Sequence, residues 1–90
     1  MKTNEFIARV EELGFNVKEK KYTYANEVWL IVREVEHAVI MGVEKNTKYM
    51  IDTDYASFIY LDDDLKWELF NLAVEYARTP IEERKAERDL

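Results

Sequence analysis

The sequence predicts an α+β fold: an N-terminal helix, a three- to four-stranded antiparallel meander sheet, a C-terminal helix and a short terminal helix. Three observations carry this. Large apolar residues recur at about 3.6-residue spacing around Phe6, at about 2 between Phe15 and Ile51, and at about 3.6 again from Leu65 onward. Val28 to Val32 and Ala38 to Val43 are β-branched, aromatic or otherwise apolar at nearly every position, as strands in the middle of a sheet are. The chain has 90 residues, 48% of them hydrophobic, with two glycines, one proline and no low-complexity linker, which describes one domain over residues 1–90.

In the first helix, Phe6, Ile7, Val10 and Leu13 share a face. Thr3 or Asn4 is placed to cap its start and Gly14 to end it in a left-handed turn. Phe15, Val17 and the basic run Lys18 to Lys21 read as an outer strand, because lysines along an edge discourage pairing with another chain. Ala25, Asn26 and Glu27 form the turn into the two apolar strands, which Arg33 to His37 joins. Glu44 to Thr47 is a polar turn into a short strand around Tyr49, Met50 and Ile51. Residues 52–61 are irregular and carry Tyr55, Phe58 and Tyr60, aromatics expected to pack over the core.

Asp62, Asp63 and Asp64 stand where a helix N-terminus favours negative charge. Leu65, Leu69, Phe70, Leu72, Ala73, Tyr76 and Ala77 supply the apolar stripe of the helix that follows. Thr79, Pro80, Ile81 and Glu82 resemble a helix start, with Thr79 as cap and Pro80 at the first helical position. The resulting helix, within residues 79–90, is short, highly charged and expected to fray toward Leu90.

The net charge is −6, and the stretch 22–64, with three basic and nine acidic residues, holds the excess. Such a field repels phosphate backbones, so direct nucleic-acid binding is disfavoured and cationic partners are favoured. The apolar runs fall far short of the roughly 20 residues that span a bilayer, the start lacks a secretory apolar region, and cysteine is absent. A soluble cytoplasmic protein is the expectation.

Trp29, Ile31, Val39 and Met41 have strand parity opposite to Leu30, Val32 and Ile40, and both sets are apolar. The helices cover one set. The other is either a partner or homodimer surface or a layer covered by the Tyr55 to Tyr60 loop or the terminal helix. Asp52, Asp54, Asp62, Asp63 and Asp64 form an acidic cluster for which helix capping and solvation are the simplest reading, with an acidic surface for a cationic partner as the alternative. An EF-hand loop begun at Asp52 fails, with Ala56 for an oxygen ligand, Ser57 for the glycine and Asp63 for the glutamate, so no metal or cofactor site is expected.

A catalytic triad would need His37 and Ser57, the only residues of their kinds, and no nucleophile-elbow spacing surrounds Ser57. Two glycines are too few for a phosphate-cradling loop. Lys18, Lys20 and Lys21 beside Tyr22 and Tyr24 form the one basic and aromatic run, read as a solubilising edge strand more readily than as a platform for single strands. No catalytic residue is therefore assigned.

Glu5 to Phe15, Tyr49 to Tyr55, and Leu69 to Arg84 with its Tyr76-Ala77-Arg78-Thr79-Pro80-Ile81-Glu82-Glu83-Arg84 tail together resemble small uncharacterised proteins of phages and prophages of Gram-positive bacteria. The resemblance implies a bacterial host cytoplasm and brings no catalytic or binding residues with it. In size, charge and element order the chain is also similar to some anti-CRISPR inhibitors that imitate nucleic acid, a fold-level analogy. The expected function is non-enzymatic, acting through protein contacts. An acidic mimic of nucleic acid that inhibits a host protein is the alternative, and a carboxylate-based enzyme ranks last.

Overall fold

The computed structural model describes residues 1–35 and 38–85, so His37 and the fraying expected toward Leu90 lie outside the described residues. The order of elements is α1 (Thr3–Glu12), β1 (Asn16–Tyr22), β2 (Glu27–Arg33), β3 (Val39–Glu44), β4 (Ile51–Asp52), α2 (Ala56–Ile59), α3 (Asp63–Arg78) and α4 (Ile81–Arg84). The strands form one antiparallel sheet in the order β1-β2-β3-β4, the predicted meander with the lysine-rich strand at its edge.

Helix α1 buries Phe6 and Val10 and ends at Gly14, whose φ of +99° suits glycine. The Gly14 amide donates to the Glu11 carbonyl and the Phe15 amide to that of Val10, the paired bonds of a Schellman turn. Its start differs from expectation. Thr3 and Asn4 lie within the helix, and the Lys2 amide donates to Glu5 Oε1 at 3.1 Å. Thr3 Oγ1 is instead 2.7 Å from the Tyr76 hydroxyl, joining α1 to α3.

The core face of the sheet carries Leu30, Val32, Ile40, Met41 and Val43 against Phe6, Val10, Leu69, Ala73, Tyr76 and Ala77. Simple parity assigns Met41 to the opposite face, and the structure corrects this. Val32 pairs with Met41 but Arg33 pairs with Val39, so Ile40 is an extra residue on β3. That bulge lets Ile40 and Met41, neighbours in sequence, both be fully buried in the core.

Asp62 caps α3 as expected, with Oδ2 accepting from the Asp64 amide at 3.2 Å. Leu69, Ala73, Tyr76 and Ala77 form its buried stripe, whereas Phe70, expected in the core, is exposed. Thr79 does not cap α4. It ends α3 in extended conformation, and its hydroxyl donates to the Glu75 carbonyl and accepts from the Met1 amine. Pro80 precedes α4, which ends on a buried arginine.

That residue, Arg84, is 2% exposed, and among the described residues it has no carboxylate partner. Its guanidinium donates to four carbonyls: Thr79 and Ala77 at the end of α3, and Glu44 and Lys45 at the end of β3. Converging carbonyls at a helix C-terminus present negative potential, which stabilises the cation. The guanidinium also lies 4.6 Å from the centre of the Tyr76 ring, on which Phe6 stacks at 4.9 Å. The short charged helix α4 is fastened to the domain at this point.

Candidate functional site

Two surfaces and one acidic segment emerge once the elements are assembled. The first surface is helical. Trp67, Phe70 and Val74 recur at three- and four-residue spacing on α3, around the helix from its buried stripe, and all three are exposed. Trp67 is 68% exposed and Phe70 42%, high values for large apolar groups. Ile59 and Tyr60, at the end of α2, are exposed as well. Phe58 brings α2 to this surface, its ring 6.5 Å from that of Phe70.

Trp67 stands between two hollows. One, of about 400 Å³, is formed with Phe58, Phe70, Lys66 and Asp63. The other, of about 380 Å³, lies in the groove between α1 and α3, where Leu13, Leu72 and Trp67 meet Arg9 and three carboxylates, Glu12, Glu68 and Glu75. The Asn71 amide, which donates to the Trp67 carbonyl at 2.7 Å, borders both. The sequence reading missed Trp67 and Val74. The signal was present as a second apolar stripe on a helix that needs one for its core.

The second surface is the sheet face turned away from α1 and α3. Register places Lys18 opposite Ile31 and Lys20 opposite Trp29. Trp29, Ile31 and Val39 of the expected set share this face, and Met41 does not. Ile31 is 9% exposed within the single chain, while Trp29 and Val39 are half-buried. Part of the cover is local. A Cβ on Gly42 would lie 3.0 Å from Trp29 Cε3 and 3.3 Å from Ile31 Cδ1, so the bare backbone there lets both side chains lie close to the sheet.

Tyr55 completes this face. It follows β4, yet it borders the same hollow as Lys18, Lys20 and Tyr22 of β1, so it reaches across the sheet from one edge toward the other. Burial and the neighbouring Asp52 charge raise the Tyr55 phenol above its ordinary value.

The acidic residues have local work. Asp52 Oδ1 accepts from the Asp54 amide at 3.0 Å, and Asp62 caps α3 with Asp63 and Asp64 in its first turn. Among the described residues no group of three His, Cys, Asp or Glu side chains is placed to hold a metal ion. The buried Glu44 is also structural: its two carboxylate oxygens accept from the Val28 and Asn46 amides, at 2.7 and 2.6 Å. Ser57 is half-buried in α2. No helix among the described residues is long and apolar enough to cross a membrane. The chain matches no protein-family model, no curated protein and no solved structure.

Proposed function

We propose that this chain is a non-enzymatic binding protein of phage or prophage type, acting in a bacterial host cytoplasm through the helical surface centred on Trp67. The observation that supports this reading is the exposed row Trp67, Phe70 and Val74 beside a groove floored by Leu13 and Leu72. A contiguous apolar surface with a large aromatic at its centre has the composition of an interaction site. The partner is a basic amphipathic segment of another protein. Its apolar side meets Trp67, Leu13 and Leu72, and its cations meet Glu12, Glu68 and Glu75, which outnumber Arg9 around the groove.

Capture from host lysate with the wild-type chain and with Trp67→Ser tests the reading. The exposure of Trp67 means that the substitution leaves the fold intact, with a stability change within about 0.5 kcal/mol. The expected result is a protein retained by the wild type, lost with Trp67→Ser and weakened by salt. Equal retention by both forms overturns the assignment of this surface. Concentration-dependent dimerisation that Trp67→Ser abolishes replaces the basic partner by a second copy of the chain.

A further inference from the structure

On the sheet face opposite the helices, a hollow of about 320 Å³ lies over Ile31 and Val39. Tyr22 and Tyr55 border it, and so do three cationic side chains, Lys18, Lys20 and Arg33. That is an unusual gathering in a chain of net charge −6. We propose that this hollow binds a small ligand built from a planar aromatic ring and an anionic group, with a nucleoside monophosphate as its model compound.

The chemistry follows from the parts. The volume falls within the range of small-molecule sites. Ile31 and Val39 offer an apolar floor for a flat ring, and the phenol faces of Tyr22 and Tyr55 offer stacking partners at its borders. The anionic group then faces Lys18 and Lys20, which alternate along an edge strand so that both project on this side. Lys20 Nζ is already 5.1 Å from the centre of the Tyr22 ring, which places its charge beside an aromatic surface.

Glu19, between the two lysines, pairs with Leu30 of the core face, so its carboxylate projects to the other side of the sheet, where Lys45 lies 3.3 Å from it. A single nucleotide is favoured over a nucleic-acid strand because the hollow accommodates one ring and its charged group. Each further phosphate would meet the repulsion of the acidic chain. The site is separate from the helical surface, so failure at one leaves the other untouched.

Titration of the full chain with adenosine monophosphate, followed by amide chemical shifts at low salt, tests the proposal. Shifts are expected to centre on Lys18, Lys20, Ile31, Val39 and Tyr55, and the indole emission of Trp29, a neighbour on this face, is expected to change. Replacing both lysines, Lys18→Ala with Lys20→Ala, should weaken binding by roughly tenfold or more, as loss of charge-assisted bonds to phosphate does. Adenosine alone and inorganic phosphate alone should each bind more weakly than the joined molecule. The lysines are exposed, so the double variant retains the wild-type spectrum elsewhere. The proposal is overturned by absence of shifts at about 10 mM ligand, by unchanged binding in the double variant, or by tighter binding of hexa-adenylate than of the mononucleotide.

Discussion

Arg84 shows how a single side chain changes role with its surroundings. In the run Glu82-Glu83-Arg84-Lys85 it reads as one more solvated charge, yet it satisfies four backbone carbonyls and contacts Tyr76. Arg84→Ala removes the donors and the packing together, so it should destabilise the domain by about 2 to 4 kcal/mol, read as a lower urea midpoint with nearly constant slope. Arg84→Lys should recover little, because an ammonium cannot span carbonyls that a planar five-donor guanidinium reaches. Unchanged midpoints would mean that the tail is held by Ile81 alone. Tyr55 supplies a second check at this scale. Its folded-state pKa is raised, so its contribution to stability is complete below the unfolded value of about 10 and is lost as pH rises through the folded value. An alkaline titration compared with that of Tyr55→Phe should show the missing tyrosinate absorbance appearing above pH of about 10. Asp52→Asn should bring it lower, since the carboxylate is one cause of the shift.

At the scale of elements, the sequence was legible wherever local chemistry decides. The apolar periods of α1 and α3, the Gly14 stop, the Asp62 cap and the lysines of the edge strand all act within a few residues. What escaped depends on tertiary context. The bulge at Ile40 shifts parity without an unusual residue to mark it. Thr79 and Pro80 have the composition of a helix start, but the Thr79 hydroxyl is taken by the Glu75 carbonyl and the Met1 amine. On the sheet's second face, parity correctly grouped Trp29, Ile31 and Val39, while the reach of Tyr55 from the far edge was not encoded in any local spacing. In the sequence Gly42 is one residue of an apolar strand, and the structure gives it a spatial reason. Gly42→Val would drive its side chain into Trp29 and Ile31, so it should cost about 1 to 3 kcal/mol by overpacking. Trp29 displaced toward water should also emit at longer wavelength; an unshifted spectrum with unchanged stability would show that the ring can yield without loss.

For the whole molecule, the Cα radius of gyration is 12.8 Å, close to the roughly 12 Å expected of one folded domain of this length. A domain of that size has a small margin of stability, and one helix must serve both the core and the surface. Helix α3 does so with neighbouring residues that face different ways: Leu69 is fully buried beneath it, and Phe70 stands at the exposed hollow beside Trp67. The sequence reading placed both in the core because a stripe that broad normally belongs there. The structure separates them into a residue for folding and a residue for contact, and paired truncations can distinguish the two. Leu69→Ala should cost about 2 to 5 kcal/mol, enough to unfold much of the population of a marginal domain at physiological temperature. Phe70→Ala should cost less than about 1.5 kcal/mol, because its ring is already partly in water and loses mainly the Phe58 contact. In binding assays the order should reverse at temperatures where both variants remain folded: Phe70→Ala impairs capture as Trp67→Ser does, whereas the folded fraction of Leu69→Ala binds as the wild type. If Phe70→Ala proves as destabilising as Leu69→Ala while capture per folded molecule is unchanged, the exposed row is an outer layer of the core, and the helical surface ceases to be the contact site.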